Sequence, residues 1–144
     1  MQLIAITAAG RPAVPVGEIS ETATEAIAAT ANMYRTSGFE PPWIGYLAID
    51  EGQIVGTCAF KCAPVDERVE IAYFTFPEFE GRGIATAMAK ELIALARVTR
   101  PGLLITSQTR PERNASNAIL GKLGFTFAGS VMHPEDGEIW EWHL

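Results

Sequence analysis

Gly81 and Gly83 flank an arginine at the end of a strand-like stretch, and an alanine-rich helical pattern, IATAMAKELIALA, follows at once. Neither glycine carries a Cβ and Ala85 adds only a methyl group, so a ligand can approach this backbone closely. The first amides of the helix that opens here have no intrahelical partners, and its dipole favours an anion. A strand, a glycine turn and a helix N-terminus together make a cradle for phosphate. Two phosphate-binding patterns fail. A P-loop requires a Lys-Ser/Thr pair after its last glycine, where Ile84-Ala85 stands. A dinucleotide fold requires a third glycine, where Thr86 stands, and an acid at the end of the next strand, which LLITSQT lacks.

The elements that must hold this cradle are legible around it. QLIAI (2–6) reads as a first strand. Thr22 with Glu25 forms a capping box, and the helix behind it places Ile27, Ala31 and Tyr34 on one face before stopping near Gly38. After the proline-stiffened FEPPW, the segments IGYLAID and QIVGTCAFKC form a hairpin about Glu51-Gly52, and VEIAYFTF (69–76) leads into the glycine loop. Ile84, Met88, Leu92 and Leu95 give the next helix its apolar stripe, and Arg100-Pro101-Gly102 stops it. LLITSQT (103–109), a short helix over about 114–123, and a closing hairpin of FTFAGSVM and EIWEWHL around PEDG complete the chain. A meander of strands followed by alternating strands and helices predicts an α/β fold with a mixed sheet, its parallel pair joined by a helical crossover. The 144 residues, with no repeat and no linker, predict a single domain over 1–144.

Composition excludes several functions. A formal charge of −6 and the lack of any basic stripe argue against nucleic-acid binding. No apolar run approaches the roughly 20 residues of a membrane span, and the N-terminus lacks a basic leader. Cys58 and Cys62 fit neither a zinc pair nor a Cys-x-x-Cys motif. In one extended strand they lie about 13 Å apart, too far for a disulfide, so free thiols in a reducing cytoplasm are expected. With His133 and His143 the only histidines, no metal site is expected.

EGRGIA (80–85) resembles the Gln/Arg-x-x-Gly-x-Gly/Ala signature of the GNAT superfamily of acyl-CoA-dependent N-acyltransferases, with Glu80 in the first position. PERNASNAILGKLGF (111–125) resembles that family's second signature, a helix begun by Asn and Ser and ended by Leu-Gly-Phe. VGTCAF and GEIWEW are also similar to small bacterial members, and the likeness spans about Ile44 to Trp142. The resemblance implies a mixed, centrally splayed sheet flanked by helices. It implies that the strand before the loop carries a bulge, and that the pantetheine arm of acetyl-CoA pairs with its backbone at Phe74, Thr75 and Phe76. The pyrophosphate then rests on Gly81, Arg82, Gly83, Ile84, Ala85 and Thr86. Glu80 is expected to point outward, with Arg82 compensating its charge, and Asn114 to cap the last helix and touch the pantetheine region.

The resemblance also assigns chemistry. Many members protonate the leaving thiolate from a tyrosine four positions before Gly-Phe in the last helix, and here that position is Leu120. Ser116 matches a serine that lies near the thioester sulfur in the ribosomal-protein branch; the structural alternative is first-turn helix capping, by Ser116 or Asn114. Glu70, on the strand that lines the cleft, is the candidate base, with no histidine expected nearby; the structural alternative is a pairing with Arg68 or Lys61. Phe39, Trp43 and Tyr46 fall where the family builds its acceptor pocket or its core. Trp140 and Trp142 share one face of the last strand, for the core or for a homodimer seam. The implied function is a cytoplasmic N-acetyltransferase that moves the acetyl group of acetyl-CoA directly to an amine, in a small molecule or a peptide N-terminus, without metal, nucleic acid or membrane. The competing reading is a CoA-binding regulatory domain that has lost catalysis.

Overall fold

The computed structural model describes residues 1–112 and 114–144, Arg113 alone lying outside them. In chain order the elements are β1 (Gln2–Ala5), α1 (Glu21–Ser37), β2 (Gly45–Asp50), β3 (Gln53–Phe60), β4 (Arg68–Thr75), a 3-10 turn over Pro77–Phe79, α2 (Ile84–Thr99), β5 (Leu104–Thr109), α3 (Ala115–Lys122), β6 (Thr126–His133) and β7 (Gly137–His143). The strands form one open sheet in the order β1-β2-β3-β4-β5-β7-β6. Every neighbouring pair is antiparallel except β4 and β5, which run parallel because α2 carries the chain across between them. This is the mixed α/β sheet expected from the order of the elements.

Local chemistry explains most element ends. Glu51 and Gly52 both adopt positive φ (49° and 78°), the geometry of a tight two-residue hairpin turn. Helix α1 is capped by Ser20, whose hydroxyl accepts from the Ala23 amide at 3.1 Å, and not by the expected Thr22–Glu25 box. The cap falls two residues earlier because Glu21 and Thr22 already belong to the helix. The Leu-Gly-Phe ending of α3 is a C-terminal lock: Phe125 N–H donates to Leu120 O at 3.0 Å and Gly124 N–H to Gly121 O at 3.2 Å, and Leu120 and Phe125 are both buried.

Strand pleating decides what lies on each face. Gly56 faces α2 at close range, since a Cβ there would come 2.5 Å from the Phe74 carbonyl and 3.1 Å from the Met88 methyl. Its face carries Cys58 and Phe60 of β3 and Ile71, Tyr73 and Thr75 of β4. The opposite face, which carries Thr57, Ala59, Glu70, Ala72 and Phe74, lies towards α1; a Cβ at Gly45 there would overlap Thr30. Phe60, Ile71, Met88, Leu92, Ile105 and Leu120 are fully buried and form the heart of the core. Cys58 is buried there, its thiol pushed up to about 12 by burial. Cys62 is also free, but it lies beyond the end of β3, so the single extended strand assumed for the pair stops short of it.

Tyr34 joins three elements with one hydroxyl. It donates to Ile6 O at 2.8 Å and accepts from Gly45 N–H at 2.9 Å, tying the end of α1 to β1 and β2 in a buried position. Tyr34→Phe leaves two buried backbone groups unpaired, so it is expected to cost about 1–3 kcal/mol. The check is a urea melt, with a lower midpoint at unchanged m-value expected; an unaltered midpoint contradicts the assignment.

Candidate functional site

Strands β4 and β5 are paired only from Arg68↔Leu104 to Ile71↔Ser107. Beyond that point β4 continues to Thr75 against β3 alone, while β5 continues to Thr109 against β7 alone. The Ser107 hydroxyl donates to Ile71 O at 3.2 Å at the apex of this fork. The register from Phe60↔Ile71 to Gly56↔Thr75 is continuous, so the bulge expected in β4 is absent. Pairing with β3 runs on through Phe76, whose amide donates to Val55 O at 3.0 Å, and stops at Pro77, which has no N–H. A fork opened by the parting of whole strands needs no extra residue.

The alternation of an antiparallel ladder determines which groups face the fork. Phe76 N–H bonds to Val55 and Glu70 O accepts from Lys61, so the backbone of the even-numbered residues, Phe74 included, is directed to β3. The backbone groups of Tyr73 and Thr75 are therefore those left facing the gap. Sequence reasoning placed the free edge on YFTF, chiefly at Phe74 to Phe76, and did not single out Tyr73. The period-two pattern that places residues 71, 73 and 75 together was available, but the strand to which each backbone edge turns was not.

The fork opens into a cleft of about 580 Å³ between β4 and the two helices on its face. Its wall brings together Tyr73, Phe74, Thr75, Gly81, Gly83, Ile84, Ala85 and Thr86 with Ser116 of α3. Gly81 and Gly83 adopt φ of 78° and 76°, a left-handed region that favours glycine, and Gly83 is the N-cap of α2 without any side-chain cap. The first α2 amide held by the helix is Ala87, bonded to Gly83 O at 3.0 Å, so those before it are open to an anion. Glu80 follows the Pro77–Phe79 turn, lines the cleft and is exposed. Arg82 lies 5.5 Å over the Phe79 ring and outside the cleft, and Phe76 is buried. Asn114 caps α3, its side chain accepting from the Asn117 amide at 3.1 Å. Helix α3 is held in place by a chain of polar contacts, Trp142 Nε1 to Thr109 Oγ1 (3.1 Å), Thr109 Oγ1 to Asn117 Oδ1 (2.6 Å), and Asn117 to Glu112 O.

Glu70 is on the other face of the sheet. Lys61 Nζ lies 2.5 Å from its Oε2, an ion pair by distance although off the hydrogen-bonding direction. Strand register puts Glu70 beside Thr106, and Thr106 beside His143. His143 Nε2 lies 3.2 Å from Glu141 Oε2, and Glu141 Oε1 lies 3.3 Å from Arg68. Arg68 thus pairs with Glu141 and not with Glu70. His143 lies on the same face as Glu70 but two strands away, with β5 between them; its contacts are with Glu141 and Arg68. Flanking this polar group are a pocket of mixed charge lined by Lys61, Gln108, Arg110, Glu112, Asp136 and Glu138, and a groove lined by Phe74 with Ala29 and Met33 of α1. Trp43 and Tyr46 are core residues: Trp43 packs edge-on against Phe60 at 5.0 Å, and Tyr46 Oη donates to Pro42 O at 2.6 Å. Trp140 and Trp142 share a face, both meeting Phe127 edge-on at 5.4 and 5.6 Å.

The profile described as the acetyltransferase (GNAT) domain matches residues 6–126. Comparison with curated protein sequences gives no match. Among solved structures the fold is shared with RimL, a ribosomal-protein alpha-N-acetyltransferase in complex with coenzyme A, at TM-score 0.67 and 17% identity over 86% of this chain and 71% of that one. It is shared with MccE, a self-immunity acetyltransferase in complex with acetyl-CoA and AMP, at TM-score 0.67 and 17% identity over 85% and 69%. A ribosomal-protein-alanine N-acetyltransferase from Brucella melitensis aligns at TM-score 0.64 and 21% identity over 84% and 77%. No helix among the described residues is long and apolar enough to cross a membrane. With the family profile covering most of its length and the fold of these enzymes around it, the chain belongs to the GNAT acetyltransferase family.

Proposed function

We infer that the protein is a single-domain N-acetyltransferase that moves the acetyl group of acetyl-CoA directly to an amine, of a small molecule or of a protein N-terminus. The observation that carries this reading is the free β4 edge, Tyr73 to Thr75, opening onto the unpaired amides behind Gly83. The residues present fit an acyl-CoA. Glycines without a Cβ and a helix N-terminus suit the pyrophosphate, and an unpaired strand edge suits the amides of an extended arm. Acetyl-CoA, when bound, supplies an acetyl group activated as a thioester. Gly81 to Thr86 hold its anionic end through backbone groups, and Ser116 on α3 stands on the opposite wall to orient the arm. The acceptor enters from the α1 face, where Glu70, Gln108 and the Glu141–His143 pair accept protons or hydrogen bonds. The competing reading, a CoA-binding regulatory domain, draws on Leu120, a buried side chain without a proton to give. Tight CoA binding with no turnover over a panel of amines favours it.

Gly83→Glu tests the cradle. None of the described residues lies within 4 Å of a Cβ there, so the fold tolerates the change apart from a left-handed strain of about 1–2 kcal/mol. The carboxylate is expected to abolish acetyl-CoA binding by calorimetry; wild-type affinity in the folded variant contradicts the assignment.

Acceptor choice follows from ionisation. A lysine side chain, reference pKa about 10.4, costs roughly 4.6 kcal/mol to neutralise at pH 7, against about 1.1 kcal/mol for an α-amine at about 7.8. The α-amine or a small amine of low pKa is the expected substrate. Steady-state rates across matched amines check this, and activity confined to lysine side chains refutes it.

Glu70→Gln is expected to leave acetyl-CoA affinity intact while lowering kcat/KM about 10²- to 10⁴-fold at neutral pH. The loss should shrink as pH rises towards the pKa of the acceptor amine, where less deprotonation is required. A wild-type kcat/KM from the variant across the neutral and alkaline range returns Glu70 to its ion pair with Lys61 alone; a comparable loss in His143→Gln assigns the proton path to both groups.

A further inference from the structure

Two hydroxyls on β4 have neither solvent nor, among the described residues, a protein partner. Tyr73 Oη and Thr75 Oγ1 are enclosed and make no hydrogen bond. Both residues lie on the sheet face that carries α2, and both line the cleft. Glu70 Oε2 shares their lack of a hydrogen bond, but the Lys61 ammonium lies against it. Buried polar atoms in native proteins are nearly always satisfied. Two without a partner beside one cleft, each reaching it by a turn of its side chain, mark the place of a ligand's own polar atoms.

Their order along the strand distinguishes them. Thr75 adjoins the turn that leads to the Gly81–Thr86 amides, so the anionic end of the ligand lies beyond it. Tyr73 is the first cleft-facing residue past the last β4–β5 pair, Ile71↔Ser107, and so stands towards the apex. Resting on the acetyl-CoA reading above, we propose that the Tyr73 hydroxyl donates a hydrogen bond to the sulfur of the acyl-pantetheine, while Thr75 serves an amide of its arm.

The chemistry decides what Tyr73 does there. Transfer joins the amine nitrogen to the acetyl carbon and breaks the carbon–sulfur bond, whose electron pair stays on sulfur; the proton that nitrogen loses balances the thiol formed. Burial pushes the Tyr73 phenol up to about 12, against about 8.5 for a free thiol. Full transfer from phenol to thiolate would run uphill by roughly three and a half pH units. Tyr73 therefore keeps its proton and acts as a fixed donor to the charge that develops on sulfur. Leu120 of α3 has no donor with which to compete.

The experiment is calorimetric titration of wild-type protein, Tyr73→Phe and Thr75→Val with CoA and with desulfo-CoA, which lacks the sulfur. Tyr73→Phe is expected to weaken CoA about 3- to 10-fold near neutral pH, and more above the pKa of the thiol, while desulfo-CoA is unaffected. Thr75→Val is expected to weaken both ligands alike. Equal losses for both ligands in Tyr73→Phe, no loss for CoA, or a sulfur-specific loss in Thr75→Val overturns the proposal and leaves the acetyl-CoA reading standing. A wild-type protein that binds neither ligand overturns that reading and the proposal with it. Without ligand, Tyr73→Phe should melt at or above the wild-type Tm, because the hydroxyl it removes has no partner; a lower Tm reveals a structural role and overturns the proposal.

Discussion

Everything in this site depends on two parallel strands that stay paired over four residues and then separate. A backbone amide or carbonyl that leaves a sheet must find another partner, because burying it unpaired is costly. The ladder alternation restricts the exposed groups to Tyr73 and Thr75, and the Ser107 hydroxyl occupies the Ile71 carbonyl at the apex. An incomplete sheet thereby leaves a free edge with a defined start.

The fork stays open because rigid elements hold its two sides independently. On one side β4 is locked into the β3 ladder through Phe76, and α2 sits so close over Gly56 that no side chain fits between them. On the other, β5 is locked to β7, and the contacts from Trp142 through Thr109 to Asn117 bind α3 to that half. Polar atoms at the centre of such a network are fully satisfied, and this gives α3 a fixed position. Departures from ideal local structure gather at the cleft: two left-handed glycines, a helix without a side-chain cap and two unpartnered hydroxyls. Clustering of this kind is what a preorganised site requires, and the surrounding packing sustains it.

The chain is acidic, yet its cleft suits an anion. The contradiction disappears once the attraction is assigned to backbone amides and the dipole of α2, neither of which enters a count of charged side chains. Glu80 lines the same wall and Arg82 lies over Phe79, so neither of these two side chains supplies its positive character. On the opposite face ion pairs dominate, with Lys61 on Glu70 and Arg68 on Glu141. These pairs orient carboxylates and His143 around the fork; exposed pairs of this type add little stability.

The sequence by itself determined whatever depends on a few consecutive residues. Glycines at 81 and 83 specify a turn that few other residues can adopt, Asn114 specifies a cap, and Leu-Gly-Phe specifies how α3 ends. The meander followed by a crossover specifies the mixed sheet, because parallel strands cannot be joined by a short turn. Where local signals compete, the reading slipped by a residue or two: Ser20 and not Thr22 caps α1, since both carry a hydroxyl before the same apolar pattern. Only the tertiary structure decided which residues meet across strands. The pairing of Glu70 with Lys61, the presence of His143 on the same face and the isolation of the Tyr73 hydroxyl all follow from strand order and register, which are set by the packing of the whole sheet. A shift of one residue in that register would turn each of these side chains to the other face.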